Sequence, residues 1–145
     1  EKRAELTTEG GLDVIGHQRA VARAVRGLQA AGITVSLFVD ARRDQLRAAR
    51  DTGAEFVEIH TGHYADATTQ RRRAGELKKI LSGIHFAASL GLRINAGHGL
   101  DYRNIKPLIN VPEINEFSIG HSIIARAVIV GIEQAVREML EILQC

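Results

Sequence analysis

Apolar and polar positions along the chain follow two periods, and their alternation predicts strands that are each followed by a helix. Short runs rich in β-branched and aromatic residues predict four strands, over residues 33–40, 56–61, 92–96 and 116–119. Apolar residues spaced three and four apart predict the helices. These are expected over about residues 17–31, from a cap at Asp40 to Gly53, and over 65–90, 103–109 and 123–143.

The order of the predicted elements indicates the fold class. Each strand is followed by a helix and no hairpin turn joins two strands, so we expect an α/β fold with parallel strands. This pattern fits either an open doubly wound sheet or part of a (β/α)8 TIM barrel. The glycine fingerprint of dinucleotide-binding sheets is absent, because the segment from Gly97 to Gly99 lacks the third glycine at the required spacing.

Chain length favours the barrel. A complete barrel of this type takes about 250 residues, whereas this chain has 145. We therefore expect a single domain over residues 1–145 that forms a partial barrel of about four βα units. The chain begins at Glu1, without Met, in what reads as a loop, and a truncated barrel explains this start better than a small complete domain.

Composition and charge exclude several classes of partner. The 19 Lys and Arg residues nearly balance the 17 Asp and Glu residues, so nucleic-acid binding is not expected. The densest basic stretch, residues 71–73, is interpreted as a solvated helix face. No apolar run is long enough to span a membrane, and no signal peptide opens the chain. Because the single cysteine, Cys145, cannot form an intrachain disulfide, we expect a reducing, cytoplasmic location.

Three of the predicted strands end in residues that can carry chemistry. Glu58 alternates with Val57 and Ile59, so its side chain is expected to point into the barrel interior. His98 lies between two glycines, where the backbone can approach a ligand and the imidazole can transfer protons. Residues 120–122 precede the last helix, whose free N–H groups and dipole suit a phosphate. The structural alternatives are a Glu58 bonded to a neighbouring strand and a His98 bonded to a carbonyl.

The remaining histidines give weaker signals. His60 shares a strand face with Glu58, and His63 follows in the next loop. Their spacing matches no strong zinc pattern, and two histidines alone do not make a site, so no metal site is predicted. His17 and His85 fall within predicted helices and are expected at the surface or in packing.

Five segments in order along the chain carry a specific pattern. They are residues 6–14 (LTTEGGLDV), 35–40 (VSLFVD), 56–62 (FVEIHTG), 95–100 (NAGHGL) and 119–121 (IGH). Together they resemble the pyridoxine 5'-phosphate synthase family of the deoxyxylulose-dependent vitamin B6 pathway. The resemblance spans the whole chain and implies the C-terminal portion of the family's TIM barrel, from just after its fourth strand.

The resemblance implies a reaction and a set of site residues. The family joins 1-deoxy-D-xylulose 5-phosphate to 3-amino-2-oxopropyl phosphate, giving pyridoxine 5'-phosphate, phosphate and water, with no metal and no organic cofactor. His98 is similar to the family's proton donor, and Glu58 to its transition-state-stabilising carboxylate. The positions that resemble substrate binders are Thr7, for deoxyxylulose phosphate, and Gly99, Gly120 and His121, for the aminoketone phosphate.

The resemblance also indicates what the chain lacks. The family's other two general bases and an Arg-rich loop belong to the first part of its barrel, so this chain alone is expected to have little or no activity. A half barrel leaves open sheet edges and an uncovered apolar face. Besides small phosphorylated substrates, the expected partners are therefore further copies of the chain, in a homo-oligomer, or the missing N-terminal half. Another phosphate-binding TIM-barrel enzyme and a non-catalytic half-barrel fragment are the alternatives.

Overall fold

The structure, a computed structural model, describes residues 10–144. Helices and strands alternate along most of this part of the chain. In chain order they are α1 (Val14–Ala30), β1 (Ser36–Val39), α2 (Arg43–Asp51), β2 (Phe56–His60), α3 (Gly62–Ala65), α4 (Gln70–Ser89), β3 (Arg93–Gly97), β4 (Ile114–Ser118), α5 (His121–Val130) and α6 (Ile132–Leu143).

The strands form one parallel sheet of four strands in the order β1-β2-β3-β4. This confirms the predicted α/β fold with parallel strands. Successive strands of a TIM barrel are neighbours in the sheet, whereas a doubly wound sheet reverses its strand order at a switch point. The described sheet has no such reversal, and its order is therefore that of consecutive barrel strands.

One face of the sheet forms the hydrophobic core. Val57, Ile59 and Ile94 point to this face and are at most 1% exposed. They belong to one buried cluster with Leu46 of α2 and Ile84 of α4. Burying a side chain of this size stabilises the fold by about 1.5–3 kcal/mol, so the helix-covered face anchors the sheet.

The opposite face carries a polar row across the sheet. Phe38 pairs with Glu58, Glu58 with Asn95, and Asn95 with Glu116 in the strand register. Glu58 thus points away from its buried strand neighbours, as predicted. In a barrel this face is the interior, so the row lies where ligand-contacting side chains are expected.

Helix α1 begins three residues before the predicted start. The Asp13 side chain accepts a hydrogen bond from the Gly16 N–H at 3.1 Å and so caps the helix. The buried side chain of Gln45, on α2, accepts another from the Val14 N–H at 2.9 Å. Apolar spacing alone did not indicate this earlier start, because the first turn has few apolar residues at helical spacing and its second acceptor, Gln45, is distant in sequence.

Two of the predicted helices differ from the prediction. The helix expected over residues 65–90 begins only at Gln70, as α4, because the Thr69 hydroxyl accepts from the Arg72 N–H at 3.2 Å and caps it, and the short helix α3 ends at Ala65. The helix expected over residues 123–143 breaks at Gly131, where φ is 84°. The break separates α5 from α6 and lets the two helices pack against each other.

Two further predictions are wrong. No helix forms over residues 103–109; the Asp101 carboxylate accepts from the Arg103 and Asn104 N–H groups at 2.8 and 2.7 Å, which favours a turn. Pro107 then lacks the N–H that a helix would need. Asp40 does not cap α2, because the first turn of that helix follows Arg42. The Asp40 carboxylate is instead bonded to His60.

The surface agrees with the predictions for the basic stretch and for the two histidines on helices. The Arg71–Arg73 stretch is exposed at the start of α4, and His17 and His85 are exposed on helices. Among residues 10–144, no helix combines the length and the apolar character that crossing a bilayer requires.

Candidate active site

A cavity of about 750 Å³ lies at the carboxyl ends of the strands. Its lining includes five of the six residues predicted for the site, namely Glu58, His98, Gly99, Gly120 and His121. The sixth, Thr7, lies outside the described residues. Sheet topology accounts for the convergence, because the carboxyl ends of parallel strands meet at one edge.

Glu58 is held at the cavity by β3 and β4. Its Oε2 accepts a hydrogen bond from the Ser118 hydroxyl at 3.0 Å. Its Oε1 lies over Gly97, where a Cβ would be only 2.3 Å away. Glycine at position 97 therefore makes room for the carboxylate, and Ser118 fixes its direction.

His98 follows β3 in a backbone conformation that is uncommon for a residue with a side chain. Its φ is 72°, and that of Gly99 is 77°. A left-handed conformation costs about 1–2 kcal/mol in a residue other than glycine, so contacts must hold it. The buried Thr61 hydroxyl supplies them, because it donates to the Gly97 and His98 carbonyl oxygens at 2.8 and 2.6 Å.

The His98 side chain is exposed to the cavity and packs against other rings. Its ring centroid is 5.0 Å from that of His60 and 5.8 Å from that of Phe38. Within residues 10–144, neither ring nitrogen of His98 has a hydrogen-bond partner. The structural alternative, a histidine bonded to a carbonyl, is therefore not observed among these residues. Both nitrogens are thus available to a ligand in the cavity.

The start of α5 forms another side of the cavity. Gly120 precedes the helix and His121 is its first residue, and no side chain of the described residues caps the N–H groups of the first turn. The first turn contains no acidic residue. The Ser122 hydroxyl donates to the Leu100 carbonyl at 2.8 Å, which ties the helix start to the loop after His98. Free N–H groups and the positive end of the helix dipole make this side suitable for an anion.

A second polar cluster lies beside the cavity, at the ends of β1 and β2. The His60 side chain is only 1% exposed, and its Nδ1 is 2.9 Å from Asp40 Oδ1. The hydrogen bond to His60 and a further one from the Gly11 N–H hold the pKa of Asp40 below its usual value. His63 stacks edge-on against His60, with ring centroids 5.3 Å apart.

Several residues of the site were not predicted from the sequence. Thr61 and Ser118 act through hydrogen bonds to residues that are distant in sequence. Asp40 was interpreted as a helix cap, because an Asp at the end of a strand is a common cap. Strand register places Ser118 beside Gly97 and on the same face of β4 as Glu116. An irregularity between β3 and β4 sets that register, so the sequence carries no signal for Ser118.

Comparison with known proteins gives a consistent result. The family model described as "Pyridoxal phosphate biosynthesis protein PdxJ" matches residues 1–145. Proteins named pyridoxine 5'-phosphate synthase are similar to the chain: that of Legionella pneumophila strain Paris is 54% identical over 144 residues, 99% of this chain and 58% of the relative. The one from Pseudoalteromonas translucida is 58% identical over 139 residues, 96% of this chain and 57% of the relative.

The same partial coverage recurs in a third relative. The pyridoxine 5'-phosphate synthase of Maridesulfovibrio salexigens is 53% identical over 144 residues, 99% of this chain and 60% of the relative. The chain therefore spans 57–60% of the length of these curated relatives.

Proposed function

Since the chain belongs to the PdxJ family of pyridoxal phosphate biosynthesis proteins, we propose that it supplies part of the active site of a pyridoxine 5'-phosphate synthase. The proposed reaction condenses 1-deoxy-D-xylulose 5-phosphate with 3-amino-2-oxopropyl phosphate and yields pyridoxine 5'-phosphate, phosphate and water. One observation carries the proposal: a carboxylate, an imidazole and a helix start line a single cavity of about 750 Å³, and within residues 10–144 the imidazole has no hydrogen bond and the helix start no side-chain cap. That volume is within the range of small-molecule sites, about 300–1,000 Å³.

Glu58 and His98 are the proposed catalytic residues. Imine formation, loss of water and ring closure each move protons, and a positioned imidazole transfers protons near neutral pH. We assign His98 as proton donor, because its ring nitrogens have no bond to another described residue. We assign Glu58 to stabilise positive charge in the transition state, because Ser118 fixes its carboxylate at the cavity.

The aminoketone phosphate has a proposed site at the start of α5. Backbone N–H groups at Gly120 and His121 suit the aminoketone phosphate, and Gly99 brings the loop after β3 close to it. Thr7 is proposed to contact deoxyxylulose phosphate; this role rests on the resemblance of the sequence, because the residue lies outside the described part of the chain.

We further propose that residues 1–145 act as one domain, the C-terminal portion of a TIM barrel, and that a partner covers it. Strand β4 is an edge of the described sheet. Large apolar side chains on α5 are exposed, with Val128 at 80% and Ile129 at 78%. Open edges and apolar patches favour association. The proposed partners are the remaining part of the barrel or further copies of the chain, and a biosynthetic role of this kind fits a cytoplasmic location.

A reconstitution assay tests the proposal. The chain is supplied with both substrates, alone and after co-refolding with the segment of the Legionella pneumophila synthase that precedes the matched region. Pyridoxine 5'-phosphate is followed by absorbance. We expect product from the mixture and little or none from the chain alone.

Variants in the active mixture test the assigned roles. His98→Asn should lower turnover at least ~100-fold, the scale of a lost proton donor, and Glu58→Gln should also lower it. The matched control is His85→Asn, an exposed histidine on α4 that should leave turnover unchanged. A folded mixture that yields no product contradicts the synthase assignment, and unaltered turnover in His98→Asn contradicts the donor role.

A further inference from the structure

We propose that Asp40, His60 and His63 form a binding site for a divalent transition metal of the zinc class. Each residue offers one ligand atom, and these three atoms lie within 4.8 Å of one another. Two imidazoles and one carboxylate are a ligand set that suits Zn²⁺ or Co²⁺. This site is separate from the proposed synthase chemistry, in which none of the three residues has an assigned role.

Asp40 and His60 are already held near the spacing that a metal requires. Asp40 directly follows β1, His60 is the last residue of β2, and the parallel pairing of the strands brings them together. His60 Nδ1 and Asp40 Oδ1 are 2.9 Å apart. Two ligands of a tetrahedral zinc ion with bonds of about 2.0–2.1 Å are separated by about 3.3 Å. A shift of a few tenths of an ångström therefore places an ion between them.

His60 Nδ1 is the nitrogen that binds the metal. His60 Nε2 has no hydrogen-bond partner among the described residues. It is buried and lies close to Gly62, where a Cβ would be 2.4 Å away, whereas Nδ1 faces Asp40. In the free protein a neutral ring keeps its proton on Nδ1, between the ring and Asp40. Binding displaces the proton from Nδ1, and one proton is taken up at Nε2, so the ring stays neutral while its tautomer changes.

His63 completes the set and provides access. It lies in the first turn of α3, three residues after His60, and is exposed. A cavity of about 190 Å³ adjoins the cluster and is lined by all three ligands. A water needs only about 15 Å³, so solvent can supply the fourth ligand.

The surrounding charges leave the Asp40 carboxylate available to a cation. Two basic residues, Arg42 and Lys79, line the same cavity. Arg42 pairs with Asp44, and Lys79 pairs with Glu76 at 2.9 Å. Each positive charge therefore has a carboxylate of its own.

Titration of the chain with zinc or cobalt tests the site. A Cys145→Ser background removes the one thiol, and calorimetry with ZnCl2 should show saturation at one ion per chain in the micromolar range. Cobalt should give the visible absorption of a tetrahedral ion. His63→Ala, an exposed and structurally mild change, should weaken binding at least ~10-fold, as losses around metal sites do. The matched control is His85→Ala, which removes an exposed histidine that bonds only Glu113, at 2.8 Å.

Nitrogen NMR of the histidine rings identifies the ligand atom. The ring of His60 should change from the Nδ1–H to the Nε2–H tautomer as zinc is added. If the tautomer of His60 does not change, the assignment of Nδ1 as the ligand atom is overturned. Absence of saturable binding, or equal affinity in His63→Ala and His85→Ala, also overturns it. None of these readouts uses turnover, so the outcome is independent of the synthase proposal.

Discussion

Replacing Gly97 with alanine is expected to destabilise the chain by forcing a methyl group into the space of the Glu58 carboxylate. Gly97 ends β3, and its φ is not in the left-handed region, so the backbone itself tolerates alanine. The added Cβ would be 2.3 Å from Glu58 Oε1 and 2.9 Å from both the Cβ and the carbonyl oxygen of Ser118. The effect of the substitution is therefore steric.

The magnitude follows from these distances. Ordinary contact begins at about 3.5 Å, so Glu58 must retreat by about 1 Å and β4 by about half as much. Overpacking of this kind costs about 1–3 kcal/mol. Loss of the Ser118 hydroxyl bond to Glu58, now 3.0 Å long, adds about 1 kcal/mol. The lower entropy of the unfolded alanine variant offsets up to about 1 kcal/mol, which leaves a net loss of about 2 kcal/mol.

Urea denaturation of the chain measures this loss. With a slope near 2 kcal/mol per molar urea, the unfolding midpoint should fall by about 1 M. Gly75→Ala is the matched control: Gly75 is exposed on α4 with no atom within 4 Å of the added Cβ, and the change should stabilise by up to ~1 kcal/mol. Glu58→Ala in the Gly97→Ala background should recover part of the loss. Equal unfolding midpoints for Gly97→Ala and Gly75→Ala would refute the steric explanation. It would also be refuted if the effects of Gly97→Ala and Glu58→Ala on the free energy of unfolding added up to within about 0.5 kcal/mol.

Three further substitutions test other contacts. Gln45→Ala should lower the free energy of unfolding by about 1–3 kcal/mol in urea, because it leaves the buried Val14 N–H without its partner; no loss would contradict this. The Arg126 guanidinium bonds both oxygens of Glu138 and holds the pKa of that carboxyl at about 2. This depressed pKa stabilises the fold at pH values above 4.5, the ordinary pKa of the group, and the contribution is lost as pH falls towards 2. Between about pH 6 and about pH 3, the wild-type chain should therefore lose more stability than Glu138→Gln. Thr61→Val should speed amide exchange in the loop after β3, and Thr61→Ser should restore protection; unchanged exchange in the valine variant would show that the hydroxyl does not hold the loop.

The strands and the position of the cavity could be predicted because local pattern determines both. Val57 and Ile59 alternate with Glu58, and a carboxylate between two buried residues has to point to the other face. Parallel order then brings the ends of β2 and β3 together. It is therefore sufficient to predict that Glu58 and His98 line one cavity, as they do. Periodicity and fold class were sufficient for this part of the site.

The partners of these residues depend on contacts that are distant in sequence. Strand β4 contains an irregularity at which Asn95 pairs with Glu116 although Ile94 pairs with Ile114. The extra residue sets the register that places Ser118 beside Gly97 and within reach of Glu58. A shift of one residue would turn Ser118 to the other face. No local pattern indicates such a bulge, so this hydrogen bond could not be predicted.

Strand β2 connects the proposed catalytic cavity with the proposed metal site. Glu58 and His60 are two residues apart on the same face, but residues on opposite sides of β2 hold them. Ser118 of β4, two strands away in the sheet, bonds Glu58, and Asp40, directly after β1, bonds His60. The rings of His60 and His98 are also in contact, with centroids 5.0 Å apart. An ion bound at the proposed metal site would move His60 a few tenths of an ångström away from Asp40. It would thereby act on the packing of His98, while the Ser118 bond to Glu58 stays intact. The two functions share a strand, yet substitutions on its two sides can separate them.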